Sequence, residues 1–426
     1  MKRIWIFFLL VLAVSLQMQA QKLAPALTPE TAGFSTQGLL KMEKEMQQWI
    51  ANGWMQGGTA LVIRNGKIVY HKAAGYKDLA TKELMQKEHI FRIASQTKAI
   101  TSVAIMILYE EGKLLLDDPV GKYIPSFRNQ RVLDQYNAAD TTWTTVPAKR
   151  QVTIRQLLTH TSGIGYAQIG TQVANAIYAK NNLTAGIGIT NDRLADAMNR
   201  LGGLPLMHQP GEKWTYGLNT DLLGYIVEIV SGKTLDEFFR TRIFEPLGMS
   251  DTYFTIPRSK AHRLVKLYNE DSTGSLVKST ANLLNGQLIT PDYPLVGSTY
   301  YSGGAGLSST IYDYGVFLQM LLNGGVYNGK RILSRNSVRM MTMNQIGDLS
   351  LGDDKFGLGF RVVTEKGSAA STSQTGTYSW GGAFATSYWV DPKEKLVLLF
   401  YRQLQRTTHG DLPEKFKTMV YSAMTD

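Results

Sequence analysis

The apolar positions of this chain change their period twice, and the changes divide it into three parts. From Ser35, the residues Leu39, Met42, Met46, Trp49 and Ile50 recur at helical spacing, with the serine placed to cap the first turn. Residues 59–64 and 67–71 are two β-favouring runs separated by Asn65-Gly66, the dipeptide that closes a tight hairpin. Strand texture returns only near the other end, at 356–363, 378–390 and 396–401. The last two are joined by a turn at Asp391-Pro392-Lys393-Glu394-Lys395. A final helix places Phe416, Met419, Val420 and Ala423 on one face.

Between the two strand groups, roughly residues 94–350, the pattern is helical. Ile100, Val103, Ala104, Ile105, Met106, Ile107 and Leu108 make one helix apolar on nearly every side, as befits an element sunk in a core. Thr153-Ile154-Arg155-Gln156 fits a capping box, and the helix it opens is expected to end near Gly163. Residues 221–230 and 312–322 are two further helices. The layout predicts an α/β (α+β) fold. One antiparallel sheet is built from both chain ends, residues 21–93 and 351–426, and flanked by helices; a large all-helical domain, 94–350, is inserted between them. At 426 residues the chain is too long for one ordinary core. The junction of the two parts is a usual place for a cleft, and residues 165–205 and 280–302 are expected to line it.

Residues 1–20 stand apart. Lys2 and Arg3 precede an apolar run to Leu16 and then Gln17-Met18-Gln19-Ala20, the layout of a cleaved secretory signal. The run is shorter than a membrane span needs. The expectation is therefore an exported, periplasmic or extracellular protein with no stable membrane anchor. The chain has no cysteine, which excludes disulfides, thiolate metal sites, a cysteine nucleophile and a lipid-modified N-terminal cysteine. The formal charge is +11, or +9 once Lys2 and Arg3 are removed. The basic residues are scattered and interleaved with acids, a solvated surface rather than a nucleic-acid site. Six dispersed histidines offer no metal-ligand spacing, and nothing in the sequence asks for a cofactor.

The candidate chemistry begins at Ser95-Gln96-Thr97-Lys98, at the start of the buried helix. Residues three apart share a helix face, so hydroxyl and amine would project into one space. A serine needs a neighbour to take its proton, and a lysine whose ammonium is desolvated can do this. The alternative is a helix-start serine beside a solvated lysine. Ser275-Leu276-Val277-Lys278 repeats the spacing but follows a turn cluster and leads into no apolar helix, so Ser275 reads as a surface serine. A hydrolase of this kind also needs a second proton carrier and an oxyanion site. Tyr216, in a loop before a buried helix, could be the first, or a packing residue. Asn219 reads as a helix cap. Ser379-Trp380-Gly381-Gly382-Ala383 lies in a strand, where paired glycines are unfavourable unless another backbone comes close. That backbone is either a substrate or the segment carrying Ser95.

Ser95-Gln96-Thr97-Lys98, Leu157-Leu158-Thr159-His160-Thr161-Ser162-Gly163, Tyr216 and Gly303-Gly304-Ala305-Gly306-Leu307 together resemble the serine β-lactamase-related superfamily. Within it the chain is similar to class C β-lactamases, D-alanyl-D-alanine carboxypeptidases and, most closely, carboxylesterases of β-lactamase fold. The match runs in order from about residue 30 to the end. The resemblance implies that Ser95 is the acylated nucleophile, Lys98 its activating partner and Tyr216 the general base or proton shuttle. It implies an oxyanion hole from the N–H groups of Ser95 and Ala383, a substrate edge at Trp380, Gly381 and Gly382, and a structural His160. Two departures stand out. Asn219 is one residue out of register with the Tyr-x-Asn of class C enzymes, and Trp380 stands where β-lactamases carry a lysine. Losing that cation removes a charge-assisted contact of about 1.5–3 kcal/mol to a β-lactam carboxylate. The implied activity is a secreted serine hydrolase forming an acyl-enzyme on small or medium carboxylic esters. A β-lactamase or D-alanyl peptidase acting on lactams or amides, and an idle binding protein of the same fold, are the alternatives.

Overall fold

The computed structural model describes residues 22–183, 186–187, 192–284 and 287–426. The 1–20 segment read as a signal therefore lies outside the described residues. Among them, no helix is long and apolar enough to cross a membrane.

The sheet is built from both ends of the chain, as the strand texture predicts. Two early strands, β1 (Gly57–Arg64) and β2 (Lys67–Asp78), form the hairpin that Asn65-Gly66 closes, and Asn65 takes the positive φ of 51° that such a turn requires. Three late strands, β3 (Tyr378–Gly382), β4 (Thr386–Asp391) and β5 (Leu396–Tyr401), join it. The central order is β2-β1-β5-β4-β3, all antiparallel, with β5 paired to β1 through Leu398 against Val62 and Leu399 against Leu61. Short strands extend both edges, nine in all among the described residues.

Every residue of β1 and β5 is buried because the sheet is covered on both faces. Side-chain alternation sorts them. Ala60, Val62, Leu396, Leu398 and Phe400 share a cluster with α1 (Thr36–Ala51) and the C-terminal helix Leu412–Ser422. Ser35 caps α1 as expected, its hydroxyl accepting from Gly38 N–H at 3.2 Å. Leu61, Ile63, Val397, Leu399 and Tyr401 face the larger core. That core holds α2 (Thr97–Glu110), α3 (Asn219–Ser231) and α4 (Ile311–Leu322). Gly315 lets α4 sit close to the sheet, since a Cβ there would lie 2.6 Å from Leu61.

Four details differ from the sequence reading. The stretch 378–390 is a hairpin, β3 and β4, reversing where Ala385 adopts φ 62°. The stretch 356–363 is also reversed: Lys355–Phe356 pairs with Arg361–Val362 around Gly359, whose φ is 98°. Both turns were hidden because apolar residues continue through them. The helix opened by Thr153 spans only Ile154–Leu158, since His160 takes φ 57° and leaves the helical path. The middle segment is not all-helical: besides several helices and long loops it carries short hairpins, Arg131–Asn137 with Thr142–Pro147 and Tyr268–Glu270 with Leu276–Lys278. These strands are largely solvated and carry few buried apolar residues, so no apolar run marks them in the sequence. Ser275 and Lys278 are exposed, as expected.

Candidate active site

Ser95 sits in a single 3-10 turn, Ala94–Gln96, between the short strand Phe91–Arg92 and α2. The approach is tightly held. Gln403, fully buried, accepts from Arg92 N–H at 3.1 Å and donates to Arg92 O at 3.2 Å, an amide pairing that mimics a strand. Ile93 N–H reaches Leu307 O at 3.1 Å. Ala94 then adopts φ 42°, a left-handed conformation that costs a non-glycine residue about 1–2 kcal/mol. After it, Tyr314 and Tyr401 donate to Gln96 O and Gln96 Oε1, at 2.8 and 2.5 Å. The core of the protein thus fixes the turn from both sides.

Three of the sequence-predicted residues converge there. Tyr216 OH donates to Ser95 Oγ at 2.8 Å and Lys98 Nζ donates to it at 3.2 Å. Lys98 is 3 % exposed. Its other contacts are Tyr166 OH at 3.0 Å and Gly304 O at 2.6 Å, so the nitrogen has three oxygen partners. Burial pushes the Tyr166 phenol well above its ordinary pKa, with the neighbouring Tyr216 and Asp221 adding to the effect. Tyr166 is therefore a neutral acceptor for the lysine.

Tyr216 is braced by aromatic packing. His160 lies 4.9 Å from its ring, Tyr166 5.3 Å, Trp380 5.6 Å and Trp214 6.0 Å, with Phe356 closing the cluster behind. Burial, with Lys98 nearby, holds His160 well below the usual histidine pKa. Its Nδ1 accepts from Asn219 Nδ2 at 2.9 Å, and Asn219 Oδ1 accepts from the Ser162 hydroxyl. Asn219 is therefore the first residue of α3 and not the expected helix cap: Leu218 holds the cap position without a side-chain bond, and the Asn219 amide is spent on His160 and Ser162.

A cleft of about 550 Å³ opens at this point, lined by Ser95, Tyr216, Trp380, Gly381 and Ala383. From the loops expected to line it, Ile169 contributes; residues 184–185, 188–191 and 285–286 lie outside the described residues. Trp380 Nε1 donates to Tyr216 OH at 3.4 Å, so the indole meets the tyrosine directly. The two glycines differ. A Cβ on Gly382 would fall 2.3 Å from Ile93 O, whereas one on Gly381 would meet only Thr386 O at 3.3 Å. Gly382 admits the backbone that carries Ser95, and Gly381 leaves room at the cleft wall. Among the described residues no cluster of acids and histidines could hold a metal.

Sequence reasoning missed Tyr166, Asp221 and the Gly304 carbonyl. Tyr166 had a usable signal, three residues after the Gly163 of a quoted motif; the other two became legible only when α3 and the 298–307 loop met behind Lys98.

This sheet-and-helix fold with a Ser-Lys-Tyr constellation is that of the β-lactamase-fold serine hydrolases. The family model described as Beta-lactamase matches residues 41–415, and the chain belongs to that family. It is 28% identical to "Esterase EstB" of Burkholderia gladioli over 90% of this chain and 95% of the relative. It is 29% identical to a "Putative D-alanyl-D-alanine carboxypeptidase" of Escherichia coli K12, over 99% and 95%. Among solved structures, "EstCE1, a hydrolase with promiscuous acyltransferase activity" superposes with a TM-score of 0.75 at 25% identity, covering 90% of this chain and 99% of the other.

Proposed function

We propose that this chain is an exported serine hydrolase that forms an acyl-enzyme on Ser95, with small carboxylic esters as substrates. The observation that carries the reading is the convergence of Tyr216 OH and Lys98 Nζ on one buried-edge hydroxyl at the floor of a cleft. Ser95 Oγ bonds to the ester carbonyl carbon, and its proton passes to the Lys98–Tyr216 pair, which acts in the form that has already given up one of its own protons. The carbonyl oxygen gains negative charge and is received by the N–H groups of Ser95 and Ala383. As the tetrahedral intermediate collapses, the C–O bond to the alcohol breaks and the pair returns the proton to the leaving oxygen. Water then attacks the acyl carbon by the same route, releasing the acid and restoring Ser95.

Support for an ester comes from Trp380, an apolar wall where β-lactamases carry a cation, and from the similarity to EstB and EstCE1. Export is supported by the signal-like residues 1–20. The second reading, a D-alanyl carboxypeptidase or β-lactamase on the same machinery, is favoured by the near full-length similarity to the E. coli protein. Hydrolysis of a short-chain nitrophenyl ester compared with a chromogenic cephalosporin separates the two. Ester turnover well above cephalosporin turnover is expected; the reverse ranking would replace the esterase reading with the second.

A further inference from the structure

Behind the lysine lies a buried acid that the reaction above does not use. Asp221, in the first turn of α3, is 1 % exposed. Its Oδ1 accepts from Ser302 Oγ at 2.6 Å, and that oxygen accepts from Ala305 N–H at 3.0 Å. Its Oδ2 has no hydrogen bond, while Gly304 N–H and the Tyr300 hydroxyl lie close enough to the carboxyl to favour its charged form. Gly304 is what separates acid from amine. A Cβ built there would stand 2.6 Å from Asp221 Oδ2 and 3.5 Å from Lys98 Nζ. Those distances bound the separation of the two charged atoms at about 6 Å, within the range where opposite charges couple. The Gly304 carbonyl meanwhile accepts from Lys98 Nζ at 2.6 Å, so one residue without a side chain lies against both groups.

A carboxylate in a dry interior persists only where donors or a cation compensate it. Here burial pushes the carboxyl upward, opposed first by the Ser302 hydroxyl and then by the Lys98 charge. The other titratable groups on this cluster are Tyr166, Tyr216 and His160 from the loops in front, and Tyr300 from the loop behind. Asp192 and Arg200 act on Tyr300 from further out. Tyr166, Tyr300 and His160 are all held neutral near pH 7, mainly by burial.

We propose that Asp221 is a positioning residue of this site: its fixed negative charge, acting across Gly304, sets the proton affinity of the Lys98–Tyr216 pair and keeps Lys98 seated on the Gly304 carbonyl. The inference rests on Ser95 being the acylated serine. The sign of the effect is independent of how Lys98 and Tyr216 share the work. Removing a negative charge lowers the proton affinity of every nearby group, so the pair loses its proton at lower pH whichever member holds it.

The test is the pH dependence of kcat/KM for full-length wild type and Asp221→Asn, measured by pH-stat titration of a short-chain aliphatic ester. The acidic limb should move down by about one to two pH units in Asp221→Asn. The plateau should fall about tenfold, mainly in kcat, because the pair is a weaker base. Ser302→Ala removes the hydroxyl that favours the charged form of Asp221, so the acid is neutral over more of the range and the limb should move the same way by less; it carries the test if Asp221→Asn does not fold. A merely structural Asp221 would lower the melting temperature and leave the limb in place, which overturns the proposal. Intact-mass labelling of wild type with a fluorophosphonate is run alongside. An unlabelled Ser95 sinks the acyl-enzyme reading itself, whereas a labelled Ser95 with an unmoved limb sinks only the role of Asp221.

Discussion

Tyr216 and Ser95 are 121 residues apart in the chain and 2.8 Å apart in space, the phenol donating to the serine oxygen. Nothing local brings them together. The tyrosine is held by a wall of His160, Tyr166, Trp214 and Trp380, and the serine by a turn pinned to the sheet and to α4. Replacing the phenol with a ring of the same shape leaves the wall intact and removes the hydroxyl proposed to carry the proton. Tyr216→Phe should therefore keep its melting temperature within a degree or two and lose about 10²–10⁴-fold in kcat. Steady-state kinetics beside a thermal melt check both halves. A variant with near wild-type kcat would remove Tyr216 from the proton path.

The two glycines of β3 should respond differently to the same methyl group. Gly382→Ala drives a Cβ to 2.3 Å from Ile93 O and must displace the turn that carries Ser95. A cost of about 1–3 kcal/mol in stability is expected, with most of the activity lost. Gly381→Ala meets only Thr386 O at 3.3 Å and should fold normally. Denaturant melts of the pair decide it, and equal effects at both positions would contradict the packing argument.

Trp380 is the residue expected to divide esters from β-lactams. Trp380→Lys places an ammonium beside Tyr216 and restores a partner for an anionic ring. If that contact is worth about 1.5–3 kcal/mol, cephalosporin acylation should rise by about tenfold or more. Ester turnover should fall as the apolar wall is lost. The acylation rate constant for a chromogenic cephalosporin is the readout, and an unchanged value would mean that another group sets this preference.

Much of this arrangement was legible in the sequence, and the reasons are physical. The sheet from both chain ends followed from β-favouring runs such as 396–401, whose residues are all buried. Ser95 and Lys98 were visible because a helix apolar on every side has to be internal, so its one lysine at the start must be there for chemistry or be paired. What escaped was set by turns and by tertiary meeting points. Ala385 and Gly359 reverse the chain inside apolar runs, where period alone continues a strand. Asn219 read as a helix cap, one residue out of register with the Tyr-x-Asn of class C enzymes. Its buried links to His160 and Ser162 show a local reason for its position, one that depends on two loops folding against α3.

Acid should destabilise the protein earlier than its carboxylates alone would require. Burial, with nearby lysines adding to it, lowers His71 and His89 from 6.5 to about 4, and His160 and His208 move in the same direction. Each folded-state pKa lies below its unfolded value, so the unfolded chain binds protons first. Stability is then complete above about pH 6.5 and declines as pH falls toward 4. Thermal melts across that window should show a steady fall in Tm. A flat profile between pH 6.5 and 5 would show that these histidines are protonated in the folded state.

The most direct measurement is the site of covalent attachment. Wild-type protein treated with an alkyl fluorophosphonate should gain one phosphonyl mass, and peptide mapping should place it on Ser95. Ser95→Ala should gain none and should lose at least ~10³-fold in ester turnover. A label on any other residue, or ester hydrolysis that survives in Ser95→Ala, would contradict the account at its centre.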